Sequence, residues 1–229
     1  ASELSIRETV DGSVTSTSYV NPDGVITEAI DMGYATVCRT RDDDSRVVEE
    51  RYLDAGGNPV ARHGDYCGLS YEYNETGTVI TYLDTERNPI ICSDGYSTIV
   101  RTQAGGRASD DFYYDLNRQQ VQRTGGYYGL HREFNTEGQN TSLTYLDKDG
   151  HAVCTSFGYT SKTYQRDRNG TVVGEQYFDK EGNPVRSWLG QYGEFYQHNE
   201  QGYISQITYL DADGNPAPTN AGYTILKRT

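Results

Sequence analysis

The sequence predicts an all-β chain, an open solenoid-like stack of about seven β-hairpin repeats of 31–32 residues. Three observations carry this. The stretch "TYLDADGNPAPTNAGY" at Thr208–Tyr223 recurs from Arg51, Thr81, Thr144 and Gln176, with fainter copies from Ser18 and Phe112. Gly33, Gly64, Gly95, Gly126, Gly158, Gly190 and Gly222 stand 31, 31, 31, 32, 32 and 32 residues apart. No segment holds a clean helical period, and the stretches between turn signals are short and rich in β-branched and aromatic residues.

Each repeat divides the same way. An extended stretch opens it, as in "GYTSKTYQ" from Gly158, and ends at an Asx-Gly turn such as "RDRNG", "YNETG", "FNTEG" or "HNEQG". A second strand follows and closes on Tyr-Leu or Tyr-Phe. "SRVVEERYLD" at Ser45 tempts a helix, but its counterpart "GTVVGEQYFD" is β-branched and holds Gly, so a strand is expected there too. The second turn, "DKEGNP" and its relatives, is a corner: the Asx side chain bonds nearby amides, Gly supplies positive φ and Pro fixes φ. A third short extended stretch should lead to the next Gly-Tyr. Alternation in "GYISQITYLD" places Tyr203, Ser205, Ile207 and Tyr209 on one face and Ile204, Gln206, Thr208 and Leu210 on the other.

Residues 1–229 thus read as a single array, with units at 1–32, 33–63, 64–94, 95–125, 126–157, 158–189 and 190–221 and a terminal strand at 222–229. Repeats of this length build solenoids, propellers or arrays. The alternative is a propeller-like ring, but a blade takes about 40 residues, more than this period supplies. Both chain ends fall inside the pattern, which suggests a piece of a longer protein.

Composition sets further bounds. Only 34% of residues are hydrophobic, yet there are 21 Tyr and 25 Gly; a globular domain usually carries roughly 45–50% apolar residues. Tyr must therefore fill the core. A net charge of −13 argues against nucleic acid and anionic membranes, which need a basic face. No apolar run is long enough to insert in a membrane as a helix. Cys38, Cys67, Cys92 and Cys154 lack CxxC or zinc spacing and read as core or surface thiols, a disulfide remaining open.

With these turns and Tyr positions in view, "YLDADGNPAPTNAGY" and "YLDKDGHAVCTSFGY" resemble choline-binding and related cell-wall-binding repeats, also used as receptor-binding repeats of large bacterial toxins. "YEYNETGTVITYLD" is similar, more distantly, to YD repeats of Rhs-type shells and variant MORN hairpins. The resemblance implies a bacterial, solenoidal tandem-hairpin module binding wall polymers or glycans in aromatic notches. This chain departs from it in period and in having a single Trp, Trp188.

No nucleophile elbow, phosphate loop or zinc-protease motif is present. His63, His131, His151 and His198 occupy unrelated repeat positions, and the carboxylate runs at Asp42–Asp44 and Asp110–Asp111 have no echo; solvated turns are expected there. Asp211, Asp213 and Asn215 alternate oxygens as a Ca²⁺ loop does, but no bidentate Glu follows, so an Asx turn is expected and calcium is the weaker alternative. The Tyr columns are Tyr19, Tyr52, Tyr82, Tyr113, Tyr145, Tyr177, Tyr209 and Tyr34, Tyr66, Tyr96, Tyr127, Tyr159, Tyr223, with Tyr192 one place later than the second column. They are assigned to building. Ligand contact is assigned to aromatics off the columns: Tyr71, Tyr73, Tyr128, Tyr164, Trp188, Phe195 and Tyr196.

The expected function is non-enzymatic and cofactor-free: binding a cell-wall or surface polymer, glycan or teichoic acid, or a host surface, outside the cell or on a bacterial surface. The alternatives are a spacer or protein-interaction region, or an accessory part of an envelope-polymer glycosyltransferase, which would be cytoplasmic.

Overall fold

A computed structural model describes residues 4–104 and 107–228. Among them there is no helix and there are fifteen strands: β1 (Ser5–Asp11), β2 (Val14–Val20), β3 (Thr36–Arg41), β4 (Val47–Leu53), β5 (Gly68–Tyr73), β6 (Gly77–Leu83), β7 (Thr98–Ala104), β8 (Ala108–Tyr114), β9 (Gly129–Phe134), β10 (Asn140–Leu146), β11 (Ser161–Arg166), β12 (Val172–Phe178), β13 (Gly193–His198), β14 (Ile204–Leu210) and β15 (Ile225–Lys227). They follow sequence order in one antiparallel sheet, with β1 and β15 at unjoined ends. The sheet is open, which excludes the ring. No helix of the described residues is long and apolar enough to cross a membrane. By packing the chain forms two compact units: Ala1–Thr102 with Tyr113–Val121, and Gln103–Phe112 with Gln122–Thr229.

Each repeat contributes two strands rather than three extended stretches. The third shrinks to a single bridge beside the Tyr-Leu end of its own strand, as at Leu53–Pro59, Leu83–Pro89 and Leu210–Pro216. Pro brings no N–H to extend a ladder, and another turn, closed by Gly64, Gly95 or Gly222, follows within a few residues.

The acidic corners are Asx turns in every repeat. Asp54 Oδ1 accepts the amides of Gly56 and Asn58 at 2.9 and 2.8 Å, and Asp84, Asp115, Asp147, Asp179 and Asp211 accept the equivalent pairs. The hairpin turns use the same device at Asp42, Asn135, Asp167 and Asn199.

Within each unit, rings from the two Tyr columns of the sequence interleave in space. In the first unit, Tyr19, Tyr34, Tyr52, Tyr66, Tyr82, Tyr96 and Tyr113 touch in chain order, with centroids 4.7 to 6.0 Å apart. In the second unit, Tyr127, Tyr145, Tyr159 and Tyr177 do the same at 4.3 to 5.9 Å, and Tyr209 meets Tyr223 at 5.5 Å. Strand ends supply alternate rings and corners supply the rest. The backbone locks both: Tyr52 donates its amide to Cys67 and accepts from Val60, while Tyr66 accepts from Arg62.

Beyond the corners, the same face carries charge satisfied within the sheet. Arg39 pairs with Glu50, Arg132 with the buried Asp111, and Lys162 with Glu175. Tyr hydroxyls complete these groups: Tyr52 donates to Glu50 at 3.1 Å, Tyr177 to Glu175 at 2.8 Å and Tyr196 to Glu194 at 3.1 Å. This arrangement corrects the reading of Asp110–Asp111 as a solvated turn. Both lie on β8, and alternation sends Asp111 to Arg132 and Asp110 to His131 Nδ1 at 2.6 Å. All four cysteines are free thiols; Cys67 and Cys92 are buried, Cys38 half-buried and Cys154 exposed.

Two predictions follow from ladder and corner. Tyr177 is 3% exposed, so Tyr177→Ala should lower stability by about 3–5 kcal/mol, the range for deleting a large buried ring. Tyr177→Phe, losing only a hydroxyl bond to a carboxylate, should cost about 1.5–3 kcal/mol; denaturant midpoints measure both.

The corner carboxyls of Asp54, Asp84, Asp147 and Asp179 are held below their ordinary value, foremost by the amide four residues on. Each binds its proton more weakly folded than unfolded. Their contribution is therefore complete above the unfolded value of about 4 and is lost as pH falls through the lower folded value. Replacing all four by Asn, which keeps an acceptor oxygen, should flatten the acid limb of melting temperature against pH; an unchanged limb contradicts the assignment.

Candidate functional site

The face opposite the rings is polar. In the second unit, register places Gln165, Gly174, Phe195 and Thr208 side by side across β11 to β14, and Thr163, Gln176, Gly193 and Leu210 in the adjacent row. A pocket of about 160 Å³ opens over these rows, lined by Gln165, Gln176, Gly193, Leu210 and the corner Asp211–Gly214. Phe195 is not among the lining residues; it stands on the same face in the neighbouring row, opposite Gly174 and two residues from Gly193, and is 40% exposed.

Two glycines leave the floor bare for a local reason. A Cβ on Gly193 would lie 2.5 Å from the Glu175 carbonyl oxygen, and one on Gly174 2.8 Å from that of Glu194. The strands approach too closely for side chains there, and the Gln165 amide lies over Gly174, its Oε1 3.3 Å from where that Cβ would stand. Among the described residues, the amides of Gln165 and Gln176 have no hydrogen-bond partner, and the Asp213 carboxylate on the corner is exposed and unpaired. Two free amides and a carboxylate around a small open pocket, with a flat apolar ring one row away, suit a ligand that is apolar on one face and hydroxylated at its edge.

The aromatics chosen from the sequence separate into distinct settings. Tyr71 is half-buried on the ladder face, its hydroxyl pushed up by burial and by Glu50. Tyr73 is spent locally, donating to the Val47 carbonyl at 2.7 Å under the Arg46 guanidinium, 4.8 Å from the ring centre. Tyr128 is half-buried, with its amide bound to Leu146. Tyr164 lies under the Lys162 ammonium at 5.2 Å. Burial, then Glu175 and Glu194, raises the Tyr196 hydroxyl. Glu175 thus brings Tyr164 and Tyr196 into one ladder-face cluster. Trp188 sits on a corner, 65% exposed, its amide bound to Phe157 at 2.8 Å. None of the seven lines this pocket; Phe195 shares its face of the sheet, one row away.

Asp211 and Asp213 also line the pocket, but Asp211 Oδ1 already accepts the amides of Asp213 and Asn215, at 3.0 and 2.8 Å. Among the described residues no group of three or more His, Cys, Asp or Glu is placed to hold a metal ion. Gln165 and Gln176 were not singled out in the sequence. Their signal was available: strand alternation puts both on the face of Phe195. No protein-family model matches the chain, and no curated protein is detectably similar to it.

Gly174→Ala should part β12 and β13 locally and cost about 1–3 kcal/mol, as overpacking does. The check is a lower denaturant midpoint together with shifted amide resonances at Glu194 and Phe195; a neutral substitution would remove the close-approach argument.

Proposed function

We propose that the chain is a non-enzymatic repeat module that binds a neutral glycan of a cell wall or cell surface, acting outside the cell. The observation supporting this most directly is a sugar-sized pocket with unpartnered amides, with the exposed ring of Phe195 in the neighbouring row of the same face. A pyranose has an apolar C–H face that lies on such a ring and edge hydroxyls that exchange hydrogen bonds with Gln165, Gln176 and Asp213. The net charge of −13 favours a neutral polymer over a polyphosphate such as teichoic acid, because uncompensated negative charge repels it.

A protein-interaction spacer is the second reading, and Trp188, exposed on its corner, favours it. The two readings separate in one titration series. Calorimetry with purified wall glycans should show binding that weakens about tenfold in Phe195→Ala, equivalent to about 1.4 kcal/mol, and is unaffected in Trp188→Ala. Absence of binding to every wall glycan, or equal binding by Phe195→Ala, sinks the proposal.

A further inference from the structure

The first unit carries a larger groove on the same polar side of its strands. It holds about 420 Å³ and is continuous in lining with a recess of about 210 Å³ through Glu72, Thr81, Thr98 and Arg118. Three features set it apart from a passive gap between repeats.

The first is a hydroxyl without a partner. Ser97 is 1% exposed and lines the groove, yet its Oγ makes no hydrogen bond. A buried hydroxyl left unbonded is costly, and a ligand entering the groove would satisfy it. Beside it Ser70, Thr81 and Thr98 stand in one row across β5, β6 and β7, extending the line of donors and acceptors.

The second is a break in the repeat. At the positive-φ position of the corner, other repeats place Gly24, Gly57, Gly150, Gly182 and Gly214. Two successive repeats place arginine there instead, Arg87 at φ 72° and Arg118 at φ 60°. A side chain in this conformation costs free energy that glycine does not. Both arginines line this one groove, which is where strain of this kind accompanies function.

The third is charge balance. Glu49 is paired with Arg87 at 3.1 Å, and Asp115 Oδ1 accepts the amides of Asn117 and Gln119 in its own turn. Among the described residues the Arg118 guanidinium and the Glu72 carboxylate have no partner, and they offset each other in sign. With Asp115 the lining holds three carboxylates to two guanidiniums, so it does not favour an anion. A planar five-donor group and a carboxylate suit the vicinal hydroxyls of a sugar.

We infer that this groove is a second saccharide site, distinct from the pocket at Phe195, and that it takes a neutral oligosaccharide held by Arg118, Glu72 and Ser97. It stands on its own residues and survives failure of the Phe195 reading.

The test uses the full chain carrying Phe195→Ala, so that the other pocket is disabled. Cellotetraose, maltotetraose, mannotetraose and chitotetraose are titrated separately and followed by amide shifts at Thr81, Ser97 and Thr98. At least one should bind and move these resonances. Arg118→Gly restores the residue type of the other corners; it should keep or raise the melting temperature while weakening binding about tenfold, the effect of one good polar contact. Ser97→Val should also raise the melting temperature and weaken binding, which a purely structural serine would not do. The inference is overturned if no tetrasaccharide moves the groove amides, or if Arg118→Gly binds as well as its parent. Tighter binding of poly(glycerol phosphate) than of any tetrasaccharide would overturn the neutral-ligand assignment.

Discussion

Contact between successive tyrosine rings is the constraint on which the rest of the structure depends. A chain with 34% hydrophobic residues has too little aliphatic surface for a conventional core, and tyrosine supplies the missing area with a polar tip that must be placed. The fold places it by alternating strand-end and corner rings, which touch in chain order from Tyr19 to Tyr113 and again from Tyr127 to Tyr177. Fixed pairing register is a consequence: a strand slipped by one residue against its neighbour would turn its tyrosine to the wrong face.

The rest of the ladder face shows how the hydroxyl tips are used. Glu50, Glu175 and Glu194 accept from tyrosines, and Arg39 and Lys162 neutralise two of them. Burial and neighbouring carboxylates raise the pKa of several ring hydroxyls, and Tyr159 is pushed up to about 12, foremost by burial. These groups are satisfied within the sheet and leave little for a ligand. The opposite face is different. Its amides and hydroxyls are under-used in two places, and each coincides with a departure from the repeat: Gly174 opposite Phe195 and the arginines at two adjacent corners.

Much of the architecture was legible because it depends on local chemistry repeated in register. The Asx corners, the Tyr positions, the faces of "ISQITYL" and the strand character of "VVEERYL" all rest on turn propensities and a two-residue period, which act within a few residues. The third extended stretch was overestimated, since Pro and a closely following turn reduce it to one bridge. Asp110 and Asp111 were misjudged because adjacent carboxylates in sequence point to opposite faces of a strand, and their partners lie about 21 residues away.

By itself the sequence determined the repeat, its strand and turn alternation and the assignment of tyrosine to the core, because these follow from spacing and from side-chain volume. Only the tertiary structure decided that rings of the two tyrosine columns interleave within each unit, that the sheet is open, and which polar groups are left without partners. Those outcomes depend on which residues from neighbouring repeats meet across the sheet, a property of register and strand separation that no single repeat contains. The candidate ligand groups Gln165, Gln176, Ser97 and Arg118 belong to this second class: what distinguishes them is the absence of a neighbour, and a linear sequence records no neighbours beyond the adjacent ones.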